Sequence, residues 1–145
     1  MSPTDSDDFD EFVETYRQAS AAIVTGDSRP VLELFSERDD VTLANPLGPP
    51  RRGRAEVEKA TSAAAANFTG GSGWFEEVSS YHTADLGYTV ELEHFDVQLA
   101  GSEKPASTTL RVTTVFRRET DSWKVVHRHA DPITTARAVE TILDA

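Results

Sequence analysis

RVTTVFRRETDSWKVVHRHAD, residues 111–131, is the stretch on which the fold turns. Two runs rich in Val, Thr, Phe and Trp flank Glu119-Thr120-Asp121-Ser122, the pattern of two antiparallel strands joined by a tight loop. If Arg118 pairs with Trp123, strand geometry assigns every side chain to a face. One face then carries Leu110, Val112, Thr114, Phe116, Trp123, Val125, His127 and His129. The other carries Thr109, Arg111, Thr113, Val115, Val126, Arg128 and Ala130. Neither face is purely polar, so the sheet is expected to be covered by helices on one side and by a second subunit on the other. A bulge in either strand would break this pairing.

Working back from the hairpin, residues 74–82 and 86–97 read as further strands. In the second, Leu86, Tyr88, Val90, Leu92 and His94 alternate with Gly87, Thr89, Glu91 and Glu93, and hydrophobicity predicts the first set inside. Gly70-Gly71-Ser72-Gly73 reads as a flexible connection at a pocket rim. Ahead of it, residues 53–68 form an alanine-rich helix with Val57, Ala60, Thr61, Ala64 and Phe68 on one face. Val41, Leu43 and Asn45 share one side of a short strand stopped by Pro46. Ser28 is placed to cap a short helix with Pro30 in its first turn. Phe9, Phe12, Val13, Tyr16, Ser20 and Ile23 make the apolar stripe of a first helix ending at Gly26. At the other end, Asp131-Pro132 predicts the start of a closing helix with Ala136, Val139, Glu140 and Leu143 on one side. Helices followed by a run of antiparallel strands define an α+β fold, with the helices against one face of a curved sheet.

The 145 residues suit a single domain: an acidic leader over 1–7, then one domain over 8–145 that includes the closing helix. A net charge of −11 argues against nucleic acid or an anionic membrane as partner. Only Arg51, Arg52 and Arg54 form a basic cluster. With no cysteine, disulfides, thiolate metal sites and cysteine nucleophiles are excluded. The N-terminus has no signal-like apolar stretch, so a cytoplasmic location is expected. Neither a nucleophile elbow nor a phosphate-binding glycine loop is present, and no cofactor is expected.

Tyr16, Gly26-Asp27, the run VLELFSERDDVTLANPLGPPRRGRAEV and the hairpin quoted above together resemble the nuclear transport factor 2-like superfamily, in its SnoaL-like and ketosteroid isomerase-like branches, across residues 8–131. The resemblance implies a cystatin-like cone, in which a strongly bent antiparallel sheet wraps N-terminal helices around an internal pocket, usually in a homodimer. It also implies where isomerase groups would lie. The general base falls on Asn45, which cannot take a proton; the tyrosine donor falls on Ala19, one turn after Tyr16; the partner acid falls within Thr113–Val115, which holds no carboxylate. The segment Trp123–His129 also resembles the association domain of calcium/calmodulin-dependent kinase II, a non-catalytic assembly module. That comparison implies that Arg111 and Arg128 face the pocket, while Trp123, His127 and His129 meet the partner subunit.

The candidate ligand-binding residues are therefore Tyr16, Asn45, Trp74, Tyr88, His94, Arg111 and Arg128. Each also has an ordinary structural role: Tyr16, Trp74 and Tyr88 as core aromatics, Asn45 as a turn residue and His94 as a satisfied core histidine. Arg111 and Arg128 would serve in salt bridges; converging unpaired, they would attract an anion such as a carboxylate. His127, His129 and Asp131 share a strand face but lack the spacing of a metal site, and no metal is expected. The chain is thus expected to bind a small, anionic or partly apolar organic molecule; alternatively it is an isomerase, cyclase or hydrolase with His94 as base and Tyr16 and Asn45 as hydrogen-bond donors.

Overall fold

In a computed structural model, residues 5–144 are described, with the side chains of 5–7 left aside. Part of the predicted leader therefore lies outside the described residues, and α1 begins within it, at Asp5. The order is α1 (Asp5–Ile23), α2 (Arg29–Leu34), β1 (Thr42–Ala44), β2 (Arg51–Arg52), α3 (Arg54–Ala65), β3 (Phe68–His82), β4 (Leu86–Leu99), β5 (Pro105–Glu119) and β6 (Ser122–Asp131). The strands form one sheet in the order β2-β1-β6-β5-β4-β3. Every neighbouring pair is antiparallel except β1 with β6. This is the predicted α+β cone. None of the described helices is long and apolar enough to cross a membrane.

Phe9, Val13, Tyr16 and Ser20 of the α1 stripe are buried, as its spacing of three and four requires. The Phe9 ring meets Phe116 and Trp123 edge-on, with centroids 5.5 and 5.0 Å away. Gly87 makes this approach possible: a Cβ there would sit 2.5 Å from the Phe9 ring. Gly26 ends the helix turn with φ +92°, the left-handed conformation that glycine adopts without strain. Ser28 makes no side-chain cap; Asp27 Oδ1 instead accepts from the backbone N–H of Arg29 at 3.1 Å.

The hairpin closes with Arg118 opposite Trp123, but a bulge after Val125 sets Val115 opposite His127. Beyond the bulge the faces exchange. Arg128 and Ala130 join Leu110, Val112, Thr114, Phe116, Trp123 and Val125 on the inner face, and His127 and His129 turn outward. The predicted partner contact of Trp123 is thereby corrected: its ring is 1% exposed, in the core beneath Phe9.

Strand β4 is inverted relative to the hydrophobic expectation. Gly87, Thr89, Glu91, Glu93, Phe95 and Val97 point inward, whereas Leu86 and Tyr88 are exposed. The inward carboxylates are tolerated because each meets a cation: Arg17 for Glu91 and Arg128 for Glu93. Gly70 to Gly73, expected to be a loose connection, lie within β3 and pair with β4. At Gly73 a side chain would collide with the Phe95 ring 2.7 Å away, so the glycine serves close packing.

The closing helix does not form. After Asp131 the chain has only a short 3-10 turn, Val139–Ile142, although Asp131 Oδ1 does accept the Ile133 N–H at 3.0 Å. A segment this short needs an apolar surface to hold a helix, and Val139, Ile142 and Leu143 are exposed.

Candidate functional site

A cavity of about 640 Å³ opens between α1, α3 and the inner sheet face. Most of its wall is apolar, from the end of α1 and the turn after it (Ile23, Val24), β1 (Leu43) and the rest of the sheet (Phe95, Val97, Leu110). Pro46, Leu47 and Pro49 border it in the turn after β1. Its size lies within the usual range for small-molecule sites.

One part of the wall is polar. Arg128 donates from Nη1 and Nη2 to the two oxygens of Glu93 at 2.8 and 2.9 Å, a bidentate pair with side chains only 12% and 2% exposed. Burial disfavours the guanidinium charge, but attraction and hydrogen bonding to Glu93 outweigh it and raise the pKa, so Arg128 stays protonated. Its Nε donates to Asn45 Oδ1 at 3.3 Å, which leaves the amide NH₂ of Asn45 as a donor. The Tyr16 hydroxyl is buried beside them, close to Arg128 and Ser20 but without a well-aligned hydrogen bond among the described residues. Burial pushes its pKa above the usual phenol range, opposed by the nearby charge of Arg128, so it is a neutral hydroxyl at pH 7.

Tyr16, Asn45 and Arg128 thus line one cavity, but the other four candidates do not. Trp74, Tyr88, His94 and Arg111 lie on the outer face of the sheet, because the true inward parity of β4 and β5 is the opposite one. His94 stacks on Trp74 at 3.8 Å and is bonded through Nδ1 to Thr109 at 3.0 Å and through Nε2 to Glu76 at 3.2 Å. Arg111 is exposed, and its Nε donates to Asp131 at 2.6 Å. Convergence of two unpaired guanidiniums is corrected on both counts: Arg111 is outside, and Arg128 is neutralised by Glu93.

Glu93 is the site residue that sequence reasoning missed. The available signal was Phe95 and Val97, which continue its parity with an apolar pair, together with Arg128 as a buried cation in need of an anion. His127 and His129 stand outside; His127 Nδ1 lies 2.7 Å from Thr42 Oγ1 and His129 Nε2 lies 3.3 Å from Asp131. Among the described residues no group of three His, Asp or Glu side chains is placed to hold a metal.

A helix-backed sheet enclosing an apolar cavity with a polar end is the architecture of nuclear transport factor 2-like domains. Residues 13–134 match the SnoaL-like domain, and the chain belongs to that family. Solved structures agree in fold. An NTF2-like family protein from Streptomyces avermitilis is 20% identical, with a TM-score of 0.74 over 90% of this chain and 98% of that one. A ketosteroid isomerase-like protein from Erwinia carotovora atroseptica is 14% identical, with a TM-score of 0.74 over 88% and 95%. An NTF2-like superfamily protein from Salmonella enterica is 17% identical, with a TM-score of 0.72 over 90% and 92%. No curated protein matches the chain in sequence.

Proposed function

We propose that the chain binds a neutral, largely apolar small molecule in this cavity and holds one polar group of it with the Tyr16 hydroxyl and the Asn45 amide. The observation that carries the reading is a mostly apolar cavity of about 640 Å³ whose polar end holds the Asn45 amide and Tyr16 beside an already neutralised cation. A polar wall group that is not fully hydrogen-bonded gains free energy when a ligand oxygen or nitrogen completes its bonding. Of the two ligand types expected from the sequence, the partly apolar one is supported. An anion would gain little from a guanidinium already paired on two sides and would lose its hydration on entry. Acid-base catalysis by His94 has no support, since that ring lies across the sheet from the cavity.

The second part of the proposal is a homodimer through the outer face. Leu86, Tyr88, Tyr81 and Trp74 leave large apolar areas exposed there, at 50, 39, 60 and 56%. A patch of this kind favours cover by a second copy, with His127 and His129 toward its margin.

Binding is tested with 2-naphthol, which is neutral at pH 7, against 2-naphthoate. The naphthol should bind at least about tenfold more tightly, and Tyr16→Phe should weaken it by roughly fivefold, the worth of one hydrogen bond. Preference for the naphthoate, or no naphthol binding, would overturn the reading.

A further inference from the structure

The wall that α3 gives to the cavity is built from Ala60, Thr61, Ala63 and Ala64. The three alanines end at Cβ, which leaves the space beside them open, and Thr61 alone of the four carries a polar group. Helix stability does not account for it, since threonine forms helix less readily than the alanines around it. The residue is 5% exposed, yet its hydroxyl makes no hydrogen bond among the described residues, not even to the carbonyl of Val57 one turn back, the common partner of a helical threonine. Nor is the hydroxyl sealed inside the protein, so the space it meets is the cavity. The other wall hydroxyls are placed differently: Ser20 lies close to Tyr16 at the polar end, and Thr108 is on an exposed part of β5.

The position of Thr61 follows from how the helices meet. The turn after α1 runs against the end of α3, where a Cβ on Gly26 would lie 3.0 Å from the Phe68 carbonyl and 3.9 Å from that of Ala65. Thr61 is about one turn back from Ala65, whereas Tyr16 is about two turns back from the end of α1 at Ile23. The α3 hydroxyl thus meets a different part of a ligand from the part that Tyr16 and Asn45 hold. Charge restricts what that part is. The charged residues of the wall are Arg51, Glu93 and Arg128, and each is paired, Arg51 with Glu56 at 3.0 Å and Arg128 with Glu93 at 2.8 Å. A charged group beside Thr61 would lose its hydration without gaining a free counter-charge, so the group is neutral. A hydroxyl fits, because it and the threonine can each donate or accept.

We infer that Thr61 is a ligand-contacting residue that sets specificity: the molecule in the cavity carries a second hydroxyl, apart from the group at the Tyr16–Asn45 end, and hydrogen-bonds to Thr61 through it. The inference rests on the binding reading and narrows its ligand to a neutral, largely apolar molecule with two polar groups.

The probes are 2-naphthol and the 2,6- and 2,7-dihydroxynaphthalenes, which are neutral at pH 7 and differ from it by one hydroxyl. The better of the two diols should bind at least about fivefold more tightly than 2-naphthol, the worth of one hydrogen bond. Thr61→Val keeps the shape and removes the hydroxyl, and should reduce that preference to about one. Thr61→Ser returns a hydroxyl and should recover most of it. In the ligand-free protein, Thr61→Val should leave the urea midpoint unchanged or raise it, because no internal hydrogen bond is lost. A parent that prefers neither diol, a preference that survives in Thr61→Val, or a fall in the urea midpoint would each overturn the role of Thr61 while leaving the cavity a binding site for the naphthol. Binding of none of the three compounds would overturn the binding reading, and this inference with it.

Discussion

Removing Arg128 while leaving Glu93 in place is the most severe perturbation of the site. Arg128→Met keeps the length and apolar body of the side chain but strands a carboxylate that is 2% exposed. Two charge-assisted hydrogen bonds, of 2.8 and 2.9 Å, disappear together with the 3.3 Å contact to Asn45. Breaking a buried pair from one side costs about 3–5 kcal/mol. For a domain of this size that lowers the Tm by roughly 10–15 °C. Glu93→Leu should cost a similar amount, for it leaves the guanidinium without its counter-charge. The double variant is different in kind. With both charges gone, an apolar pair fills the same space and stability should return to within about 1 kcal/mol of the parent. The coupling energy is then at least about 5 kcal/mol. Urea unfolding followed by tryptophan fluorescence measures all four corners of the cycle, and Trp123, in the core beside this strand, reports directly. A single variant costing under about 1 kcal/mol, or a double variant costing the sum of the singles, would refute the account of the pair as desolvated and mutually dependent.

Two further outcomes are expected. Burial foremost, and then the neighbouring His129, lower the pKa of His127, so below about 6.5 the unfolded chain binds the proton more readily than the folded one. Stability present above that pH is therefore lost as pH falls through the folded value, and His127→Gln should flatten the decline in urea midpoint between pH 6.5 and 5; an unchanged slope would exclude His127 as a source. On the outer face, Leu92→Asp should move the sedimentation mass from twice 15.9 kDa to 15.9 kDa without loss of naphthol binding; a parent that is already monomeric would remove the dimer.

Much of the fold could be read from local pattern. The stripe on α1, the small-residue face of α3, the alternation of Val41, Leu43 and Asn45, and the pairing of Arg118 with Trp123 depend on periods of 3.6 and 2 that neighbouring residues impose on one another. Those periods also brought Tyr16 and Asn45 to the cavity. Period determines which residues share a face, and it does not determine which face is inside. On β4 the more apolar set faces out, and the inner set is made acceptable by Arg17 on α1 and Arg128 on β6, both distant in sequence. Trp74, Tyr88 and His94 were misplaced with that one inversion.

The bulge after Val125 is the second decision made by tertiary structure. One extra residue in β6 returns Arg128 to the inner face in company with Trp123 and Val125, an arrangement that strict alternation forbids. The closing helix is the third: its pattern is present in the sequence, but a short helix takes its stability from the surface it covers, and over 132–144 the chain supplies none at its present position. Sequence alone therefore determined the long helix α1, the helix α3, the main strands and their order, because these follow from interactions between near neighbours, while the closing helix and the short strand β2 did not follow from it. The polar end of the cavity was decided in three dimensions, because Glu93, Arg128, Tyr16 and Asn45 meet only when strands and helix far apart in the chain pack together, and a buried charge is stable only where its partner lies.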